Sequence, residues 1–368
     1  MKNFLEIHVL QNFPASCLNR DQGNVQKKCF FGDSQRDRVS SQCWKNAMRG
    51  YWQEKNTFNN GLGIRTKFLV DSLAKKVSGQ VNEESSVVSK VCDAIASCVF
   101  SSRKDNTLVF YSVSEYNVLL KIIVDNFDNI KKELVDKSEK KNKTDDKVSE
   151  VILDLVKDFK NAPTVDMSLF GRMVAGHNDQ NIEAASQMSH IFSTNISNNE
   201  SDFWTAVDAL KEEFNPGDNG SAHLGDQSFA SPCFYRYINV SLQDLDTSLK
   251  DRANLKEIIP GFIEAFINSL PTGKQNSFAA HTLPSYVRII NHNGSALNLC
   301  NAFIRPVRSN NGQFDIVNES IKSLEGHKAE IDIMYGLRKD EASFTCSLSS
   351  GKSLEEVIQL AIDDILGN

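Results

Sequence analysis

The first residues of the chain alternate between apolar and polar side chains, which is the pattern of a half-buried β-strand. This strand is predicted over Asn3–Leu10, with Leu5, Ile7 and Val9 on one face. The same pattern predicts three later strands. They are Ser168–Gly176, which enters a glycine-marked turn, Phe229–Leu242 and Tyr286–Asn291.

A polar loop with two glycines follows the first strand and leads to a helix that begins near Ser41. Ser40 or Ser41 can cap the free N–H groups of its first turn. Helical spacing divides its residues into an apolar side and a polar side. The apolar side carries Trp44, Ala47, Met48 and Tyr51, and the polar side carries Gln42, Lys45 and Arg49.

Apolar residues recur at intervals of three and four along later segments, which predicts further helices. Those between about residues 65 and 160 are interpreted as a helical insertion, and the polar stretch Ile191–Gly225 as a protruding element. The predicted helices are Phe68–Val77, Val87–Phe100, Tyr116–Val135, Val148–Phe159, Phe203–Phe214, Leu255–Leu270 and Ser353–Leu366.

With the two insertions set aside, the predicted elements follow the order strand, helix, strands, helix, strand. This is the ferredoxin-like order of RRM-type folds, so the predicted fold class is α+β. Ordinary RRM domains stack bases on aromatic residues of their sheet, and that sequence signature is missing here. Any bound RNA is therefore expected away from the sheet.

The composition, 40% hydrophobic and 24% charged, is ordinary for a globular protein without membrane spans. The net charge of −6 argues only weakly against nucleic acid, because the clustering of cations matters more than their total. The 8 cysteines form no CxxC pair, so reduced thiols and a cytoplasmic location are expected. The 7 histidines are dispersed and no catalytic motif appears, so we expect no enzyme activity, cofactor or bound metal.

The segment Leu18–Arg49 combines positive charge with hydroxyl and amide groups at the start of a helix. A helix N-terminus offers free N–H groups and positive potential to a phosphate, and neutral donors fix its register. The alternative is a solvated helix face, which composition alone favours. The charged candidates are Arg20, Lys27, Arg38, Lys45 and Arg49, and the neutral ones are Ser40, Ser41 and Gln42.

Three other segments have weaker signals. Met173, Trp204 and Leu224 are either core residues or apolar groups that insert between bases, where stacking contributes about 1–3 kcal/mol per base. The loop Pro271–Phe278 has a lysine that can reach phosphate or a neighbouring subunit, but it departs from the phosphate-loop motif. The charge run Lys131–Lys147 is either a solvated helix or a non-specific cationic contact with a duplex.

In this order, the segments resemble the CasC family, the backbone subunits of the type I-E CRISPR complex called Cascade. The strongest match, Asn3–Arg49, is collinear and ungapped, whereas residues 55–160 match poorly. The thumb carries extra residues near Glu212–Asn219, and Ser34 stands where the family tends to be basic. Further matching segments are Gly171–Met173, Phe203–Leu210, Gly220–Leu242, Pro271–Ala280 and Leu297–Phe303.

The resemblance implies a right-hand shape with an RRM-like palm, helical fingers and a protruding thumb. The palm would comprise residues 1–60, 160–190 and 230–368, the fingers residues 61–160, and the thumb residues 191–229. Copies would polymerise along one guide RNA, with the palm holding its backbone and the thumb kinking a base out at regular intervals.

Carried onto matching positions, the resemblance assigns a role to three groups of residues. The backbone-holding group is Arg20, Lys27, Ser40, Gln42, Lys45 and Arg49, to which the charge of the segment adds Arg38. The base-kinking group is Met173, Trp204, Thr205 and Leu224, and the group suggested for DNA contact in the fingers is Lys137, Lys140, Lys141 and Lys143.

The implied partners are the guide RNA, further copies of the chain, target DNA and the other Cascade subunits. Those subunits are a large subunit, small subunits, a guide-end-capping subunit and a guide-processing endonuclease. The implied role is non-catalytic, since a separate helicase-nuclease cuts the DNA. Two alternatives stay open. Type III relatives cut target RNA with a loop aspartate, for which Asp33 and Asp37 are candidates, and a general RNA chaperone would bind arbitrary RNA as a monomer.

Overall fold

The computed structural model describes residues 4–59, 61–100, 107–139, 150–214, 223–249, 255–308, 315–336 and 341–367. The chain divides into two compact units. The sheet unit comprises Met1–Thr57, Ser186–Gln243 and Asn254–Asn368, and the helical unit comprises Phe58–Ala185 and Asp244–Ala253. The palm, fingers and thumb boundaries given above stay predictions.

An antiparallel sheet with the strand order β12-β11-β1-β10-β7-β3-β2 forms the frame of the sheet unit, and β6 also pairs with β10. Two pairs of strands, β4 with β5 and β8 with β9, stand apart from it. The strands are β1 (Phe4–Asn12), β2 (Lys28–Phe31), β3 (Ser34–Val39), β4 (Ile64–Thr66), β5 (Val109–Tyr111), β6 (Ser186–Met188), β7 (Ile191–Ser193), β8 (Glu200–Ala206), β9 (His223–Phe229), β10 (Cys233–Ser241), β11 (Tyr286–His292) and β12 (Ala342–Ser347).

The centre of this sheet reproduces the ferredoxin-like order. The strands β11, β1, β10 and β7 lie side by side and antiparallel, which is the order 4-1-3-2 of that fold. The mixed α+β architecture confirms the predicted fold class. The helices are α1 (Ser41–Lys55), α2 (Leu69–Val77), α3 (Ser85–Val99), α4 (Val113–Asp125), α5 (Phe127–Glu139), α6 (Glu150–Val156), α7 (Val165–Phe170), α8 (Lys211–Phe214), α9 (Leu242–Leu249), α10 (Leu255–Asn268), α11 (Gln275–Phe278), α12 (Ile316–Tyr335) and α13 (Leu354–Leu366).

One face of the sheet packs against α1 and α10. The buried Arg236 guanidinium of β10 lies 4.5 Å from the ring centroid of Trp44 on α1 and 5.2 Å from that of Phe266 on α10. It donates hydrogen bonds to the carbonyl oxygens of Phe266 and Ile267. The buried side of α1 is therefore fixed against the sheet, which leaves its other side to face solvent.

The opposite face of the sheet lies under α12 and the turn Leu299–Phe303. Ordinary RRM domains use this face to stack bases. Here the tyrosines of the strands are core residues, so the face is closed to RNA. The residues of this core include Leu10, Phe192, Tyr235, Tyr237, Tyr286, Leu299, Phe303 and Leu324.

A buried polar network ties the covered face to the segment that follows β11. The Glu6 carboxylate accepts hydrogen bonds from His292 Nε2 and from the Leu297 N–H, both at 2.7 Å. Burial opposes its ionisation, but the hydrogen bond from His292 and the nearby His8, 3.6 Å away, lower the pKa of Glu6 to about 2. Glu6 is therefore a buried carboxylate that helps to hold the turn against β1.

The helical unit has its own core, to which α2 to α6 contribute. Arg172 is buried within it and donates to Glu115 Oε2 at 2.7 Å, to Gln180 O at 2.9 Å and to Asn161 Oδ1 at 2.8 Å. The guanidinium thereby fixes the turn that begins at Gly171.

Four of the predicted elements were wrong. The polar loop predicted between the first strand and α1 contains β2 and β3. Ser168–Gly176 is not a strand, because α7 runs to Phe170 and the turn starts at Gly171, whose φ is +81°. Residues Val165–Leu169 are all buried, and complete burial removes the periodicity that separates a helix from a strand. Phe203–Phe214 is not one helix either, since β8 extends to Ala206. Tyr116–Val135 is divided between α4 and α5.

Candidate nucleic-acid interface

The loop before α1 is held to β3 and to the start of α1 by amide side chains. Asn19 accepts hydrogen bonds from the Ser40 N–H at its Oδ1 atom, 3.0 Å, and from the Lys27 N–H at its carbonyl, 2.8 Å. Gln26 is buried and donates from Nε2 to Arg38 O at 2.8 Å. The backbone of Lys27, Arg38 and Ser40 is therefore fixed by two residues that the sequence analysis did not single out.

Ser40, one of the two predicted candidates, is the N-cap of α1. Its hydroxyl oxygen accepts from the Cys43 N–H at 3.2 Å. The Ser41 N–H donates to Nδ1 of His190 at 3.1 Å, which sequence reasoning also missed. Because a backbone N–H only donates, His190 accepts at Nδ1 and its neutral ring carries the proton on Nε2.

Charges around the first turn of α1 are close enough to affect one another. Burial, and after it the charges of Arg38 and Lys27, lower the pKa of His190 below its ordinary value. Burial also lowers the pKa of Lys45. Neutral His190 therefore lies near Arg38 and Lys27 at the α1 N-terminus. A bound anion there would reduce the repulsion between these two cations.

Two arginines of β3, Arg36 and Arg38, differ in burial. Arg36 is fully buried and donates to the carbonyl oxygens of Ser193, Thr194 and Phe303 at 2.8–2.9 Å. Arg38, two residues along the strand, is half-buried and donates to Lys28 O at 3.4 Å. Arg36 is a core residue, so only Arg38 contributes positive charge to the surface.

The remaining predicted backbone-holding residues lie on α1 or in the loop before it. Gln42 is exposed, and Lys45 and Arg49 are half-buried on the same side of α1. Arg20 is exposed and donates to Asn24 Oδ1 at 2.7 Å. We call the surface formed by the following seven residues the cationic surface. They are Arg20, Lys27, Arg38, Ser40, Gln42, Lys45 and Arg49.

A polar cleft of about 870 Å³ adjoins the cationic surface, between α1 and two loops. Arg20 belongs to one loop, and Gly273 to the other. A Cβ atom at Gly273 would lie 2.3 Å from Leu18 O, so the loops pack directly against each other. Lys274 donates to Gln227 Oε1 on β9 at 3.4 Å. The cleft is lined chiefly by polar residues, among them Asn19, Asn46, Asn268, Ser269, Thr272 and His281.

The β8–β9 hairpin presents the predicted base-kinking residues on two faces. Thr205 lies directly opposite Leu224, so these two side chains share one face. Trp204 lies opposite Gly225 on the other face, with its ring centroid 5.2 Å from that of His223. Trp204 and Leu224 are 42% and 54% exposed, so they do not belong to the core.

Met173 is in the helical unit and is 87% exposed, immediately after the buried Arg172. The predicted strand at this position was wrong, but the structure places the side chain at a surface turn. Arg172 anchors that turn, which leaves Met173 free of the core.

Of the four predicted finger lysines, one lies among the described residues. Lys137 belongs to α5, whereas Lys140, Lys141 and Lys143 lie outside the described residues. At the start of the same charge run, Lys131 forms an ion pair with Glu83. This lysine of the charge run is therefore paired with an acidic residue of the helical unit.

The two candidate aspartates are in different environments. Asp37 is buried and accepts a hydrogen bond from the Ser197 hydroxyl at 2.7 Å, and burial raises its pKa despite that bond. Asp33 is exposed and accepts from the Ser34 hydroxyl at 2.6 Å. In the part of the chain that the structure describes, no group of three or more His, Cys, Asp or Glu is arranged to hold a metal.

No helix among the described residues has the length and apolarity needed to cross a membrane.

Comparisons with known proteins identify a family and solved structures of similar fold. A chain of a solved structure described as "CRISPR RNA-guided surveillance complex, pre-nicking" is 25% identical, with a TM-score of 0.79 and 99% of each chain covered. A chain of another "CRISPR RNA-guided surveillance complex" is 21% identical, with a TM-score of 0.61 and 98% of this chain and 99% of that chain covered, and shows the same fold. No curated protein sequence matches significantly. The family model of CT1975-like proteins matches residues 5–365, and the chain therefore belongs to this family.

Proposed function

We propose that the protein is a non-catalytic backbone subunit of a CRISPR RNA-guided interference complex, which polymerises along the guide RNA and holds its phosphates. The observation that carries this proposal is the cationic surface at the start of α1, where hydrogen bonds fix the backbone of Lys27, Arg38 and Ser40. The similarity over 99% of both chains to a chain of a surveillance complex supports the same role.

The chemistry of the cationic surface suits a backbone and not a base sequence. Lysine, arginine, serine and glutamine side chains at a helix N-terminus bind phosphate and ribose without sequence information. A subunit that must accept any guide has to leave the Watson–Crick edges free to pair with target DNA. The closed face of the sheet agrees with this, because the surface on which RRM domains read bases is buried.

The β8–β9 hairpin supports a role in kinking the guide. It carries large apolar side chains that are exposed outside the core, including Trp204 and Leu224. Apolar and aromatic side chains stack on bases without regard to their identity. The hairpin would act on displaced bases, while the cationic surface holds the strand.

The most informative experiment measures how many copies bind to guides of increasing length. Native mass spectrometry of complexes formed on synthetic guides should show copy number rising in equal steps with RNA length. A general RNA chaperone would instead bind as single copies in irregular number. Bound cellular RNA, once sequenced, should consist of CRISPR guides.

A second assay tests the non-catalytic assignment. The assembled subunit should leave RNA complementary to the guide intact in the presence of Mg²⁺ or Mn²⁺. Metal-dependent cleavage that disappears with Asp33→Ala would favour the type III alternative. Asp37→Ala is less informative, because Asp37 is buried and its loss would also disturb Ser197.

A further inference from the structure

Gly225 of β9 lies directly opposite Trp204 in the β8–β9 hairpin. A glycine within a strand weakens it, so its presence requires a reason. Gly225 is not one of the described residues with a positive φ, and its backbone conformation is therefore open to other residues. The reason must be the space that a side chain would occupy.

That space is filled by the Trp204 indole. A Cβ atom at Gly225 would lie 2.6 Å from Cζ2, 2.7 Å from Cε2 and 2.9 Å from Nε1 of the ring. All three distances are shorter than real Cβ contacts. The ring therefore lies against the backbone of β9 at a distance that only glycine permits.

The His223 ring also lies beside the Trp204 indole. His223 is two residues from Gly225 on the same face of the hairpin, and its ring is inclined by 50° to the indole. The indole is therefore supported by the β9 backbone and by His223, and Trp204 is still 42% exposed to solvent. A supported aromatic ring of this kind loses little freedom when a base stacks on it.

We propose that Gly225 is a positioning residue, which seats the Trp204 indole on the hairpin so that its outer face stacks on a nucleobase of the guide. This inference rests on the proposed function for its ligand. Thr205 and Leu224 point to the other face of the hairpin and do not form this seat.

Gly225→Ala should displace the ring without unfolding the hairpin. The atoms that clash are at the end of an exposed side chain, which can swing outward. The matched control is Gly326→Ala, since a Cβ atom at Gly326 meets nothing within 4 Å.

The first measurement needs no RNA. The protein has three tryptophans, of which Trp44 and Trp52 are buried, so acrylamide quenching reports mainly on Trp204. Gly225→Ala should increase the quenching constant, and Gly326→Ala should leave it at the wild-type value. Unchanged quenching in Gly225→Ala would overturn the inference, whatever the protein does with RNA.

The second measurement uses guides that carry 2-aminopurine at one position at a time. Its emission should be quenched at the position that stacks on Trp204, and Gly225→Ala and Trp204→Ala should both restore emission there. The double variant should be no brighter than Trp204→Ala alone, because both changes remove the same contact. Additive effects, or effects at different positions, would overturn the inference.

These outcomes separate the inference from the proposed function. Wild-type protein that binds no guide would contradict the proposed function. Wild-type protein that binds the guide and quenches one position, while Gly225→Ala quenches it equally, would contradict only the role of Gly225.

Discussion

The cationic surface and the β8–β9 hairpin are built in opposite ways. In the cationic surface, the half-buried Asn19 and the buried Gln26 bond to the backbone of Lys27, Arg38 and Ser40 and hold these three positions. The hairpin is two strands separate from the main sheet, with its large apolar side chains exposed. A surface that holds phosphates in register needs rigidity, whereas a wedge needs accessible apolar area.

The difference also bears on what each region can tolerate. Changes of the charged residues in the cationic surface alter charge on a fixed scaffold, so their effect should appear in guide binding and not in folding. Ser40, the N-cap of α1, is the exception. Changes in the hairpin remove exposed apolar surface that is not part of the core. Loss of function without loss of stability is therefore expected in both regions, but by different amounts.

The largest effect is expected from charge reversal on α1. Lys45→Glu with Arg49→Glu should lower guide affinity by about a hundredfold or more, because two attractions to phosphate become repulsions. Electrophoretic mobility shift at several salt concentrations measures it. Lys75→Glu with Lys76→Glu on α2 carries the same charge change at exposed positions and is the control. If the α1 variant bound the guide with wild-type affinity, the assignment of guide binding to the cationic surface would be wrong.

The two arginines of β3 should separate stability from binding. Arg36→Ala removes three buried hydrogen bonds to carbonyl groups and should lower the free energy of unfolding by about 3 kcal/mol. Arg38→Ala should change it by less than about 0.5 kcal/mol and should instead weaken guide binding. Urea denaturation and guide titration of both variants provide the comparison. Equal loss of stability would show that Arg38 is also structural.

A smaller effect is expected in the hairpin. Trp204→Ala with Leu224→Ala should weaken guide binding by about tenfold without abolishing it, since stacking contributes about 1–3 kcal/mol per base. Chemical probing should show that the regular pattern of exposed bases is lost at the same time. An intact pattern would mean that the hairpin does not kink the guide.

The smallest effect concerns His190. Its pKa is lowered in the folded chain, so below its ordinary pKa the unfolded chain binds more protons and stability falls as the solution is acidified. His190→Asn keeps an acceptor for the Ser41 N–H but does not titrate. The loss of thermal stability between pH 8 and pH 5.5 should therefore be slightly smaller in the variant than in the wild-type protein. An identical loss would show that folding does not lower the pKa of His190.

Elements with a clear local pattern were predictable from sequence. The strand β1, the helix α1 with its Ser40 cap, and the helix α10 are present near the predicted positions. The 20-residue helix α12 was missed, because buried Ser320 and Lys328 take places that apolar residues would occupy in a regular pattern.

The candidate site was predictable in its residues but not in its support. Arg36 and Arg38 look equivalent in a segment interpreted as a loop, and strand alternation would place both on one face of β3. Only the contacts of Arg36 with Ser193, Thr194 and Phe303, which are distant in sequence, separate them. His190 is far from Ser41 in sequence, and no local pattern indicates their hydrogen bond. The two faces of the β8–β9 hairpin were hidden because the segment was predicted to be helical.

The covered face of the sheet has a consequence for chemically altered guides. With Tyr235 and Tyr286 in the core beneath α12, the sheet has no open platform that inspects bases. Guides with modified bases should therefore be accepted as long as they still pair with DNA. Guides with uncharged phosphate replacements should be rejected, because the protein would recognise the charge of the RNA backbone and not its base sequence.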